Sequence, residues 1–396
     1  MARDRYYKLQ NKLHIVNNFE EHGGNDKLWK VRPVIVAFRN KCISLLRSQH
    51  LSVDEQMIPF TGRCNMRTYV PNKPNPLGLK NFILASSDGL VLDFAVYNGK
   101  ETIPESDQNE HELGVSILKL LARTVPIDYS HVIYSDRFFT SSKSVQLLLD
   151  RNIFQTGTLM ANRIKEVASK FKRHQELQWV QWDENIGEDQ EVCALKWKGN
   201  KPVTLLSTCI GSEPEGTCKR RCNTEKADVS VKQPAIFKSY NRNMGGIDLC
   251  DRYMTYYRSN IRTKKWTVIV FNHLNDLAII NSWIMYKRIP EQKWMSLINF
   301  RIHLAHDLVK SSRIVDSLEM SKQISQSVTQ ECVSSSDEDE EHQTIQNEEE
   351  LCQSQLEKAN VTGLATYLNI LRVFLPQSRS HLMCEKCNVY LYVLFC

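Results

Sequence analysis

The sequence predicts a mixed α/β fold: a sheet domain carrying a β-rich insertion, with helices on either side. Three observations predict it. Between 51 and 162, short apolar stretches (VDEQMIPF, RTYV, NFILAS, LVLDFAVY and HVIYSD) read as strands, interleaved with helical patterns. From 163 to 232 the pattern becomes irregular and only short strands stand out. Residues 1–50 and 233–290 return to helical periodicity.

Taken in order, Leu9, Leu13, Ile15 and Val16 give a first helix its apolar face, and the loop NNFEEHGGND ends it with two glycines. A second helix starts near Pro33, whose fixed φ suits a first helical turn. Val34, Ile35, Ala37 and Phe38 point inward and the face continues through Cys42, Ile43 and Leu45. Arg39, Lys41 and Arg47 are expected mostly outward. Within the sheet domain, helices are expected at Glu110–Ala122 and Ser141–Arg151, with a strand at Ile153–Leu159 after the second. In the insertion, strands are expected at Leu177–Trp182, Val192–Trp197 and Val203–Ser207. Trp179, Trp182 and Trp197 read as its small core in preference to a base-stacking platform. The run WTVIVFNHLNDLAIINSWIMYK is long and apolar, but its Asn, His and Asp residues mark a buried or interface helix, with His273 a hydrogen-bonded core histidine.

At 396 residues the chain has room for two or three cores. Its 42% hydrophobic and 24% charged content is that of ordinary globular proteins. No membrane span is read. The opening MARDRYYKLQ has charges where a signal peptide needs an apolar core, so the chain reads as intracellular. Net charge is unevenly spread. Residues 331–350 hold nine acidic residues and no Lys or Arg, which lifts the rest of the chain from +6 to +15. A body this basic suggests a polyanionic partner. The Ser/Gln/Glu-rich surroundings, centred on SSSDEDEEH, read as a disordered spacer, with a short helix at Thr362–Phe374 beyond them. Twelve scattered cysteines without a secretory signal read as reduced thiols, and only Cys384, Cys387 and Cys396 crowd together as metal ligands do.

Three stretches carry acids in settings that suit chemistry. Asp54 lies in LSVDEQM, with Glu55 beside it. Asp136 ends the apolar strand of HVIYSDRFF. Asp248 and Asp251 follow the two glycines of GGIDLCD, three apart and so on one helical face. Acids drawn from two strand ends and a helix can converge at a sheet edge and hold Mg²⁺ or Mn²⁺ against a phosphodiester. The ribbon after Asp54 adds Arg63, Arg67, Lys73 and Lys80, cations suited to a phosphate backbone. Each acid taken singly also has an ordinary explanation as a turn cap, a solvated strand end or a helix N-cap.

The strings DEQMIPFTGRCNMRTYVPNKPNPLGLK, IYSDRFFTS, GTLMANR, NRNMGGIDLCDRYMTYYR and KKWTVIVFNHLNDLAIINSWIMYK resemble the piggyBac transposases and their domesticated derivatives, in order, from near residue 1 to about 290. The resemblance implies a ribonuclease H-like core over 51–162 and 233–254, with the β-rich insertion at 163–232. A helical dimerisation and DNA-binding domain would be made from 1–50 and 255–318, followed by an acidic linker at 319–378 and an incomplete cysteine-rich end at 379–396. The chain then starts inside that helical domain. The implied catalytic acids are Asp54, Asp136 and Asp248 with Asp251 as accessory, so that Glu55 becomes a neighbour and not a ligand. The implied DNA contacts are Arg63, Arg67, Lys73, Lys80, Arg163, Lys264 and Lys265. The implied activity is cleavage and transfer of double-stranded DNA at transposon ends and TTAA targets by a homodimer in the nucleus, with water and then a 3′ hydroxyl as attacking groups.

The sequence departs from that pattern at several points. Arg137 stands where the family has Asn, and Met160 where it has Arg, while Arg163 is kept. Tyr392 replaces a cysteine near the end. Cys384, Cys387 and Cys396, even with His381, therefore read as the remnant of a Zn²⁺ site. These departures suit a domesticated, inactive nuclear DNA-binding or chromatin-interaction protein as the alternative to a working transposase.

Overall fold

The computed structural model describes residues 3–308 apart from short stretches, 161–169 being the longest, and the backbone of 383–384 and 389–390. Arg163, the acidic linker, the helix expected at Thr362–Phe374 and the cysteine-rich end, apart from those four residues, lie outside the described residues. Two compact units are present: Glu20–Leu277, and the described parts of Met1–Phe19 with Ala278–Cys396.

Helices α1 (Arg3–Lys12) and α2 (Arg32–Ile43) come first. α1 stops before Leu13, so Leu13, Ile15 and Val16 lie beyond the helix whose face they were expected to extend. Pro33 sits in the first turn of α2, as predicted, and Ile35, Phe38 and Cys42 are its buried residues. Arg39 and Arg47 depart from the outward expectation. The Arg39 guanidinium forks onto both carboxylate oxygens of the buried Asp93, at 2.6 and 3.0 Å. Arg47 caps the end of α2 by donating to the carbonyls of Cys42, Ile43 and Leu45.

The sheet strands are β1 (His50–Pro59), β2 (Thr68–Tyr69), β3 (Leu77–Ser86), β4 (Val91–Val96), β5 (His131–Ser135) and β6 (Ile153–Thr158). α3 (Leu113–Ala122) precedes β5. α4 (Ser142–Leu149) follows it, closed at its start by the reciprocal hydrogen bonds of Ser141 and Ser144. β5 is buried at every residue, as a central parallel strand should be.

The insertion contributes β7 (Trp182–Ile186), β8 (Cys193–Lys198), β9 (Pro202–Ser207) and the hairpin β10 (Gly216–Cys222) with β11 (Ala227–Gln233). The strand expected at Leu177–Trp182 is instead a turn, with Val180 at φ +70°, and pairing begins only at Trp182. The sequence set this region apart from the preceding pattern, yet β9 pairs antiparallel with β6 and β7–β9 extend the same sheet. Alternation in short strands tells what a strand faces but not which edge it joins. Trp197 is buried against Phe237, ring centroids 4.9 Å apart, and Trp182 packs at the edge of that cluster. Trp179 is 41% exposed and is not core.

The resulting mixed sheet has nine strands in the order β2-β3-β1-β5-β6-β9-β8-β7, with β4 also on β3. β1, β5 and β6 run parallel, and β3 and β4 are antiparallel additions on the other side of β1.

Three helices come next, α5 (Ala235–Asn243), α6 (Gly246–Tyr256) and α7 (Trp266–Lys287), and residues 297–308 are helical beyond them. α7 is long and apolar enough to cross a membrane, but 78% of its apolar window is buried within the protein. Polar side chains along it are hydrogen-bonded, some within the helix and some to other elements. Asn272, Asn275 and Ser282 each donate to the carbonyl four residues back, and His273 bonds to Gln56. In the second unit, Trp283 and Tyr286 of the last turns of α7 donate to the carbonyls of Met295 and Lys293.

Candidate metal centre

β1 and β5 run parallel with Val53 opposite Ser135. The residue that follows each of them in the chain is an aspartate. Parallel strands in register point matched residues to the same face, so Asp54 and Asp136 stand side by side. Beyond Asp136 the chain turns back. The Phe138 amide donates to its carboxylate at 2.8 Å, and the amides of Phe139 and Thr140 donate to its carbonyl. Glu55 joins them, and oxygens of Asp54, Glu55 and Asp136 all lie within 4.8 Å of one another.

α6 lies across β1 and β3 at its first turn. A Cβ on Gly246 would sit 2.3 Å from the Ser86 carbonyl oxygen and 2.8 Å from Ser52 Oγ. Only glycine allows that approach, which is what the second glycine of GGID supplies. Asp248 is then in the first helical turn, exposed, and Asp251 follows one turn later, half-buried. Gln56, two residues along β1 from Asp54 and so on its face, donates its amide to Asp251 Oδ1 at 2.5 Å. The Gln56 carbonyl accepts from His273 Nε2 at 2.7 Å.

The electrostatics follow from crowding acids out of water. Burial pushes Asp54 up to about 8, against the pull of Lys73 and with the push of Glu55 and Asp136. Asp136 is raised, chiefly by burial. Asp251 is raised to about 6 by burial, opposed by the Gln56 hydrogen bond. Burial alone would lower the Lys73 ammonium, but Asp54, Glu55, Asp248 and Asp251 together outweigh it and raise it. Lys73 Nζ lies 3.6 Å from Glu55 Oε1 and donates to the Glu55 carbonyl at 3.2 Å.

All the donors here are hard oxygens, the chemistry Mg²⁺ and Mn²⁺ prefer. The 4.8 Å group is close to the ~4 Å that spans two oxygens across a Mg²⁺ with ~2.1 Å bonds. One lysine serves several buried carboxylates, so a divalent cation fits the residues present. Glu55, set aside in the sequence in favour of Asp248, is a member of the close group, and Asp248 stands outside it while sharing Lys73.

Compared with known families, residues 1–283 match Transposase IS4. The chain belongs to the Transposase IS4 family. Within it the piggyBac affinity carried by the motif strings holds. The chain is 29% identical to the human "PiggyBac transposable element-derived protein 3" over 313 residues, covering 76% of this chain and 51% of that protein. It is 25% identical to the human "PiggyBac transposable element-derived protein 2" over 311 residues, covering 77% and 52%. Among solved structures it shares the fold of the piggyBac transposase in a synaptic complex with hairpin DNA. The TM-score is 0.64 at 24% identity, over 76% of this chain and 61% of that one. The chain thus spans about half the length of the curated relatives it matches. Chemistry of the DDE type uses a divalent metal, in keeping with the acidic group.

For this transposase-family chain, the basic residues expected to meet DNA divide by position. Lys73 belongs to the acidic centre itself. Lys80 is held over the rings of Phe82 and Phe138, 5.5 Å from each centroid. Arg67 is exposed and donates to the Thr61 and Gly62 carbonyls, while Arg63, Lys264 and Lys265 are exposed, the two lysines just before α7. Arg137 is exposed beside Asp136. Sequence reasoning missed Gln56 and Tyr240. Gln56 could have been found from its i+2 spacing to Asp54. Tyr240 has no such signal: it comes from α5 and feels Asp136, Asp54 and Asp248 only through the fold.

Proposed function

We propose that this protein binds double-stranded DNA and cleaves and joins its strands with a divalent metal held at Asp54, Glu55 and Asp136, with Asp248 and Asp251 completing the charge around it. The observation that carries this is the side-by-side placement of Asp54 and Asp136 on parallel strands with Lys73 shared among the surrounding acids. The order β4-β3-β1-β5-β6, three antiparallel strands followed by two parallel ones, supports a ribonuclease H-like core. Mg²⁺ or Mn²⁺, when bound, would polarise the scissile phosphate and lower the pKa of the attacking water or 3′ hydroxyl. The chain's own part is to hold Asp136 by the Phe138 amide, to orient Asp251 through Gln56, and to keep the acids partly out of water. Transposon ends and TTAA sites are the proposed DNA, a homodimer the proposed assembly and the nucleus the proposed location.

A second reading, a DNA-binding descendant without cleavage, is favoured by Arg137, the exposed cation that directly follows Asp136 in the chain. One assay decides between them: Mg²⁺- or Mn²⁺-dependent nicking of DNA bearing matching terminal repeats. Nicking lost in Asp54→Ala supports the enzyme. Binding without nicking, unchanged by that substitution, leaves the second reading.

A further inference from the structure

Gln56 lies on β1 two residues beyond Asp54 and is fully buried. Its surroundings allow its side chain one orientation. The carbonyl oxygen accepts from His273 Nε2 at 2.7 Å and from Asn81 Nδ2, on its cross-strand partner in β3, at 3.4 Å. The amide nitrogen therefore points the other way. It donates to Asp251 Oδ1 at 2.5 Å, with Met254 Sδ 3.6 Å from it. Turned over, the amide would set its carbonyl oxygen against a carboxylate.

The same restriction recurs around the acidic centre. Asp54 Oδ1 accepts from the Glu55 amide at 2.8 Å, and Asp136 Oδ1 accepts from the Phe138 amide at 2.8 Å. Glu55 Oε1 faces Lys73 Nζ at 3.6 Å. With Asp251, each of these carboxylates has one oxygen turned to a donor of the protein, and a carboxylate held in this way offers a cation one oxygen more readily than two. That bears on the choice of ion. Mg²⁺ takes a near-regular octahedron of oxygens at about 2.0–2.1 Å. Ca²⁺ takes about 6–8 oxygens at about 2.3–2.6 Å, often both oxygens of one carboxylate. Mn²⁺ sides with Mg²⁺ in favouring six oxygens. Two of the donors are backbone amides that no substitution removes, and the third is the Lys73 ammonium, whose loss changes the charge of the centre. Gln56 is the neutral side chain among the four.

We infer, resting on the metal-binding reading proposed above, that Gln56 sets the metal preference of the centre. By tying Asp251 it keeps the number of carboxylate oxygens around the ion small, which favours Mg²⁺ or Mn²⁺ over Ca²⁺. His273 is then a positioning residue, which keeps the Gln56 amide turned to Asp251.

The test is titration calorimetry of the full chain with Mn²⁺ and, separately, with Ca²⁺. The parent should bind Mn²⁺ more tightly. Gln56→Met keeps the length of the side chain and loses the donor. In it the ratio of Mn²⁺ to Ca²⁺ affinity should fall about tenfold, the size of effect usual for groups that orient a metal ligand. His273→Leu should move the ratio in the same direction, while His273→Gln, which can still donate to Gln56, should keep the parent's ratio. Melting curves in EDTA show which variants fold, and the two histidine variants carry the test if Gln56→Met does not. An unchanged ratio in Gln56→Met and His273→Leu overturns the inference, as does a parent without preference for Mn²⁺. Affinities for both ions that fall together overturn it too, since a merely structural role weakens both alike. A parent that binds neither ion overturns the metal-binding reading and this inference with it, so the two failures are told apart.

Discussion

Asp54 and Asp136 stand one step beyond the matched pair Val53 and Ser135 on two adjacent parallel strands. That register brings their carboxylates together, with oxygens within 4.8 Å of each other and of Glu55. Parallel pairing fixes the relationship more firmly than any loop would, because a slip by one residue would turn one of the acids to the other face. The site is therefore as rigid as the centre of the sheet, and its charge is the variable part.

The first prediction concerns that charge. Without metal, an Asp54 raised to about 8 is an unfavourable place for a carboxylate at neutral pH. Asp54→Asn should raise the melting temperature in EDTA by several degrees, corresponding to about 1–2 kcal/mol. It should also abolish the stabilisation that added Mn²⁺ gives the parent. Calorimetry with and without metal reads both. A variant melting below the parent in EDTA, with its Mn²⁺ shift intact, would place the metal elsewhere.

Lys73 should act as the resident counter-ion. In Lys73→Met the acids lose the one ammonium they share, so the metal-free protein should be destabilised by about 1–3 kcal/mol. Its apparent Mn²⁺ affinity, measured by titration calorimetry, should rise relative to the parent, because no cation has to be displaced. If Lys73 instead serves only as a phosphate contact, Mn²⁺ affinity will be unchanged and DNA affinity alone will fall.

Arg39 and Asp93 form the third case. Asp93 is fully buried and accepts from Arg39 at 2.6 and 3.0 Å and from Thr124 Oγ1 at 3.0 Å. Removing one partner of such a pair leaves a charge in the interior, at a cost of about 3–5 kcal/mol. Arg39→Met should lower the urea midpoint accordingly, and Arg39→Met with Asp93→Asn should recover part of the loss. Equal losses in the single and double variants would mean that the pair is solvated well enough to be dispensable.

How much of this was legible beforehand depends on the range of the interaction. The strands of the sheet domain, α2 with its Pro33, the burial of α7 and the bonded state of His273 follow from periodicity and local chemistry, and the structure agrees. What failed was set by distant partners. Arg39 looks outward on a helical wheel, yet it faces Asp93, 54 residues on in sequence. Glu55 reads as a neighbour once Asp136 and Asp248 are taken as the ligands, yet its carboxylate reaches the group of Asp54 and Asp136. The turn before Trp182 depends on Val180 being pinned from β8, which no local pattern announces.

His273 gives a prediction with a defined sign. It is fully buried on α7, donates Nε2–H to the Gln56 carbonyl, and burial lowers it to about 3, with the charge of Arg258 acting in the same sense. The unfolded chain takes up a proton near 6.5 while the folded protein resists it until about 3, so this residue's contribution is complete above 6.5 and is lost as the pH falls. The slope is about 1.4 kcal/mol per pH unit, or about 2 kcal/mol between pH 6.5 and 5. Asp54 works the other way: with a folded value near 8 against 3.8, its share favours the fold at low pH and is lost as pH rises through 8. Asp136 and Asp251, raised in the same sense as Asp54, add to the parent's profile, and the difference between parent and His273→Gln isolates the histidine. Urea unfolding at pH 7, 6 and 5 should show the parent losing about 2 kcal/mol more than the variant by pH 5. Parallel profiles would mean that His273 reaches water in the folded state and that Gln56, and through it Asp251, is held by something else.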